Sequence, residues 1–218
     1  MTETSVTPGE TTTGVDGRAS RAERTRSAVV DALLALNEQG NLRPTAREIA
    51  AEAGVSLRSI YVHFDDVEAL FIAAAIRHGE HLQSLSRPLL TEGPLEHRTD
   101  TLLAHRRTIY EAGAGVRRAA LLQEPFSPAL RRAIEAGRAS GRAEVNRVFA
   151  AEIASCPGEH AHRLRQALAL VTGPTTWDVL RRYQGMTAAE AEAQMRTMVF
   201  ALLEDWTAAS TRPRSPDG

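Results

Sequence analysis

Thr45-Ala-Arg-Glu-Ile-Ala-Ala-Glu-Ala-Gly-Val-Ser-Leu-Arg-Ser-Ile-Tyr-Val-His-Phe64 contains two short helical segments divided by Gly54-Val55. Thr45 and Ser56 each carry a side-chain oxygen that can accept from a free backbone N–H at the start of a helix, and Glu48 stands three residues after Thr45, as a capping box requires. Ile49 supplies an apolar anchor. Ala50 is small enough for a second helix to approach closely. Gly54 suits the left-handed conformation that ends a helix. In the second segment Ile60 and Phe64, four apart, share an inner face. Leu57, Arg58, Ser59, Val62 and His63 fall on the opposite side. Two short helices joined by a glycine turn, one with an apolar inner face and a polar outer one, read as a helix-turn-helix. A helix of this size fits the major groove of DNA.

The same logic extends along the 218 residues. Alternating β-branched runs are absent, and alanine, leucine, arginine and glutamate dominate, so the fold class is all-α. Capping boxes are expected at Ser20-Arg-Ala-Glu23, Asp65-Asp-Val-Glu68 and Thr187-Ala-Ala-Glu190, and Ser127-Pro128 gives a cap with proline at the first helical position. Stops are expected at Gly40, Gly54, Gly93 and Gly185. These signals predict helices near 20–39, 45–52, 56–63, 65–86, 95–112, 115–123, 128–154, 158–183 and 187–209. Residues 1–17 and 211–218 read as disordered tails. The expected organisation is a helix-turn-helix unit over 18–64, a long helix over 65–86 and a second helical domain over 87–210.

Composition excludes several classes. No apolar run is long enough to span a membrane, and the N-terminus lacks the basic-then-apolar pattern of a secretory signal. One cysteine, Cys156, makes no internal disulfide, which suits a cytoplasmic setting. The net charge of −1 argues neither for nor against a polyanionic partner, because the placement of charge matters more than its sum. All 26 basic residues are arginine, the better side chain for phosphate and for base edges. His78-Gly-Glu-His81 and His160-Ala-His162 do not fit the spacing of a zinc helix, Gly113-Ala-Gly115 follows no strand, and no nucleophile elbow occurs. No catalytic residue, metal or cofactor is therefore expected.

Residues 20–76 resemble the DNA-binding domain of the TetR family of bacterial transcription regulators. The resemblance is carried by Thr45, Glu48, Ile49, Ala50, Ala53, Gly54, Val55, Ser56, Ser59, Tyr61, His63, Phe64, Glu68 and Leu70. It implies a three-helix reading head, a long fourth helix as connector, a helical regulatory domain, and a homodimer that holds a palindromic operator until a small molecule enters the second domain. By that resemblance the DNA contacts are Arg43, Thr45, Ser56, Leu57, Arg58, Ser59, Tyr61 and His63. Thr45, Tyr61 and His63 would hold phosphates, whereas Ser56 to Ser59 would face the bases. Arg58 suits either guanine or a phosphate. The chain departs from the family pattern at Asp65-Asp66-Val67-Glu68, where many members place a phosphate-binding lysine. Arg18, Arg21, Arg24 and Arg26 suit either a basic arm on DNA or a solvated helix face.

For the second domain, the expected pocket walls are Leu103, Arg106, Arg107, Tyr110, Leu122, Phe126, Phe149 and Trp177, with an unidentified small-molecule effector. Leu168, Val171, Leu180, Met195, Met198, Val199, Leu202 and Trp206 recur at helical spacing on the last two helices, and the resemblance implies that these two helices form the dimer interface. Pairing is required physically, because two reading heads must sit roughly 34–36 Å apart on DNA. Double-stranded operator DNA, a second copy and the effector are thus the expected partners, with no membrane. A transcription activator or global regulator without an effector is the alternative; a helical enzyme with a borrowed DNA-binding-like module is a second.

Overall fold

A computed structural model describes residues 13–211, with side chains from 17 to 205. All regular structure among them is helical: α1 Thr13–Glu38, α2 Ala46–Glu52, α3 Leu57–His63, α4 Val67–Leu85, α5 Leu95–Ala112, α6 Ala114–Gln123, α7 Pro128–Val148, α8 Ala150–Ala154, α9 Gly158–Val171, α10 Pro174–Asp178 and α11 Ala188–Thr211. A 3₁₀ turn covers Glu124–Phe126 and a π turn Val179–Tyr183. Two compact units divide the chain, Met1–Arg77 and His78–Gly218, with the boundary within α4.

The first unit packs α1, α2, α3 and the start of α4 around one core. Val29, Val30 and Leu33 of α1 meet Ile49 and Ala50 of α2, Ile60 of α3, Phe64, and Leu70 and Ala74 of α4, all buried. At seven residues each, α2 and α3 are too short to persist alone and depend on that burial. Gly54, at φ +66°, turns the chain between them in the left-handed region that side chains with a Cβ avoid.

The second unit is held by α11, which packs on α9 and α5. One apolar cluster gathers Leu102, Val145, Val148, Phe149, Leu164, Leu168, Val199 and Leu203. Another gathers Leu103, Tyr110, Trp177, Leu180, Ala191 and Met195.

Several boundaries correct the sequence reading. Residues 13–17, read as part of a tail, already belong to α1, so Ser20 lies inside that helix and does not cap it. Residues 1–12 and 212–218 lie outside the described residues. The cap of α4 is Asp66, whose carboxylate accepts from the Ala69 N–H at 2.7 Å, rather than Asp65. The predicted helix 128–154 breaks at Phe149, where the buried Arg98 guanidinium takes the Val148 carbonyl. The predicted helix 158–183 breaks at Thr172-Gly173, because Pro174 has no N–H with which to continue it. A Cβ at Gly173 would lie 2.8 Å from the Ala169 carbonyl oxygen, so the break also needs glycine for close approach.

Candidate nucleic-acid interface

Local chemistry sets α3 rigidly. The Ser56 hydroxyl accepts from the Ser59 N–H at 3.1 Å, and the two serine hydroxyls lie 2.8 Å apart. At the other end the Arg26 guanidinium, on α1, donates to the His63 carbonyl and stacks on the Phe64 ring. Ile60 and Phe64 anchor the inner face, as their spacing predicts. The outer face projects Leu57, Arg58, Tyr61 and Val62, all exposed; Tyr61 is 58% and Val62 69% accessible. Ser59 and His63 are half-buried at its edges.

The entry to α2 adds a second feature. Thr45 and Glu48 form the expected capping box: the Glu48 carboxylate takes both the N–H and the hydroxyl of Thr45, each at 2.7 Å, while the Thr45 hydroxyl accepts from the Glu48 N–H. The hydrogen bond from the Thr45 hydroxyl, then the one from its backbone N–H, hold the exposed Glu48 carboxyl below its ordinary value. Both donors of Thr45 are therefore engaged by a carboxylate in the free protein, and a phosphate at this position would have to displace it. Arg43 and Arg47 are exposed beside it.

Arg26 leaves the set of arginines predicted as an arm or a solvated face, because its charge is spent inside the head. Arg24 bonds the Ser20 carbonyl, a local contact on exposed α1. Asp66 is occupied as a cap. Val67 is exposed and offers no donor where the resemblance implies a lysine.

The residues predicted to line a ligand pocket do not all come together. Leu103, Tyr110 and Trp177 pack in one cluster and Phe149 in the other. Leu122, Phe126 and Arg107 are exposed, Phe126 at 76%. Arg106 is buried, but it is held by the Glu144 carboxylate at 2.6 Å and by the Gly141 carbonyl at 3.0 Å. A shallow surface hollow of about 440 Å³ lies elsewhere, lined by Gln184, Gly185, Met186, Glu190, Ala193, Gln194 and Thr197.

Four of the residues predicted at a dimer interface, Leu168, Leu180, Met195 and Val199, are buried in the subunit's own core and have no surface to offer. Val171, Met198 and Leu202 are half-buried, and the Trp206 side chain lies outside the described residues. The exposed apolar groups on the same elements are Leu170, Val179 and Tyr183. A 3–4 spacing marks the buried stripe of a helix without distinguishing a core from an interface, so Leu168, Leu180, Met195 and Val199 fall in the core.

Charge pairs that no local sequence pattern marks hold the second unit. Arg98 and Glu152 pair at 2.5 Å, only 7% and 17% exposed. Arg117 holds Asp178 at 2.6 Å. Glu111 accepts from Trp177 Nε1 at 2.8 Å and from two nitrogens of Arg181, each at 2.9 Å. The Arg181 hydrogen bonds are the main cause of a lowered Glu111 carboxyl. Tyr110 donates to the Thr172 carbonyl at 3.0 Å, and burial pushes its phenol up. These partners lie far apart in sequence, and no motif connects them.

Among the described residues no helix is long and apolar enough to cross a membrane. Residues 30–74 match the family model described as bacterial regulatory proteins, tetR family. No curated protein matches the chain. Solved structures share its fold. A transcriptional regulator from Rhodococcus sp. Rha1 superposes with a TM-score of 0.62 at 18% identity, over 88% of this chain and 99% of its own. A TetR transcription regulator from Haloarcula marismortui ATCC 43049 does so with a TM-score of 0.56 at 17% identity, over 86% and 98%.

Proposed function

We propose that this chain, whose residues 30–74 match the tetR-family model, is a DNA-binding transcriptional regulator that acts in the cytoplasm as a homodimeric repressor on a palindromic operator and lets go when a small molecule binds its second unit. The observation that carries the reading is the exposed outer face of α3, capped by Ser56 and pinned by Arg26, with Arg43, Arg47 and Arg58 exposed in the same unit. Rigid presentation limits the entropy lost on docking, and the arginines supply attraction to phosphate.

In this reading Arg58 contacts guanine, Tyr61 and Arg43 hold phosphates, and Thr45 does so once Glu48 yields. Residues 87–210 carry effector binding and dimerisation. The dimer surface is formed by the apolar groups left exposed or half-exposed on α9, α11 and the π turn, chiefly Leu170, Val179, Tyr183, Met198 and Leu202. An effector that prefers a conformation with the heads wrongly spaced releases the operator.

One observation favours a second reading, a regulator without an effector: Leu103, Tyr110 and Trp177 pack on one another instead of facing a common space. Selection of sequences from a random DNA pool tests the DNA-binding role, and enrichment of an inverted repeat supports the dimer. Mass in solution for Tyr183→Arg against the parent protein tests the interface. A screen for compounds that release the selected DNA separates the two readings.

A further inference from the structure

We propose that Val62 reads the 5-methyl group of a thymine, and that this contact beside Arg58 sets the base preference of the α3 face. The inference rests on the DNA-binding reading above and adds to it a specificity-determining residue.

Val62 is 69% exposed, more than any other large apolar side chain among the described residues of the first unit. A β-branched residue is a weak helix former, and an exposed one gains nothing from the core. The inner face of α3 is already complete with Ile60 and Phe64. What Val62 can do is limited by its chemistry. It has no donor for a phosphate and no acceptor for a base amine, so its only available contact is apolar. In the major groove the thymine methyl is the one apolar group that a base pair presents.

Position selects the same partner. Val62 follows Arg58 by four residues, one helical turn along the same stripe, a rise of about 6 Å. Base pairs succeed one another at roughly 3.4 Å. If Arg58 pairs with a guanine, Val62 stands over a base one or two pairs away. Leu57 and Tyr61, also exposed, extend the apolar strip on its flank. The surroundings suit a polyanion rather than a protein partner: Arg43, Arg47 and Arg58 are exposed and make no ion pair among the described residues.

The full-length protein is used to select operators from a random DNA pool, and each thymidine of the selected half-site is then replaced singly by deoxyuridine, which removes only the methyl. One position, within two base pairs of the guanine protected by Arg58, should lose about four-fold in affinity, the value of one buried methyl. Val62→Ala should bind thymine and uracil operators equally, while Val62→Ile should keep the preference. Deoxyuridine neutral at every position, a half-site without thymine there, or a Val62→Ala protein that still discriminates would each overturn the proposal and leave the DNA-binding reading standing. A pool that yields no enriched sequence would overturn both. Near-normal melting of Val62→Ala, expected for an exposed site, ties the change to recognition.

Discussion

The guanidinium of Arg26 donates to the backbone carbonyl of His63 at 2.8 Å across 37 residues of sequence, and sits 4.4 Å from the centroid of the neighbouring Phe64 ring. One side chain from α1 thus closes the last turn of α3, where a carbonyl would otherwise lack a partner. The reading helix is held at both ends, by Ser56 at its start and by a residue from another helix at its finish.

Arg26→Ala should therefore loosen the head rather than remove a DNA contact. Loss of a charged hydrogen bond and a cation–π contact predicts about 1–3 kcal/mol of destabilisation in urea unfolding. Operator and random-sequence DNA should both bind more weakly. A variant with unchanged stability and weaker binding would place Arg26 on the DNA instead.

Arg58→Ala should separate sequence reading from general attraction. Specific binding is expected to weaken by about 1–3 kcal/mol, with a much smaller change on random DNA. Titrations on both DNAs at one salt concentration check this; equal losses would make Arg58 a phosphate contact.

Gly54→Ala isolates a backbone cost. The φ of +66° disfavours any Cβ, yet nothing stands within 4 Å of where that Cβ would lie. The expected loss is about 1–2 kcal/mol, from conformation alone. Asn should be tolerated better than Ala, because its side chain can adopt this region. Denaturation midpoints of the two variants decide the order.

In the second unit Arg98 joins the Glu152 carboxylate, the Val148 carbonyl and the Gly93 carbonyl. Arg98→Ala strands a mostly buried carboxylate, a change of about 3–5 kcal/mol for a buried pair. Thermal unfolding should show it. Replacing both partners by apolar residues should recover part of the loss, since no charge would then be left unpaired.

His105 gives the pH dependence a sign. Burial, its largest influence, lowers its pKa below the ordinary histidine value, against the pull of the Glu144 carboxylate 3.9 Å away and aided by repulsion from Arg106. The folded protein then binds fewer protons than the unfolded chain near pH 6.5. Stability contributed by neutral His105 is present above that ordinary value and is lost as pH falls through the folded one. Melting temperature should decline between pH 7.5 and 5.5, and His105→Gln should flatten the decline.

Much of the first unit was legible because its signals are local. Thr45 with Glu48, Ser56 with Ser59, and glycine at 54 each act within a few residues, and the structure shows all three. Local too is the break in the predicted helix 158–183, where Pro174 has no N–H to donate and so outweighs the apolar period on either side. Asp66 instead of Asp65 as the cap of α4 is a one-residue slip between adjacent identical side chains.

From the sequence alone came the helical class, the helix-turn-helix and its inward and outward faces, since helical period, caps and turns are properties of neighbouring residues. Tertiary structure alone decided that Arg26 belongs to the frame of the head, that Leu168, Leu180, Met195 and Val199 are core, and that the expected pocket walls divide between two clusters and the surface. Burial and charge pairing depend on which distant segments meet in space, and a periodic pattern says only that a face is apolar, never what will cover it.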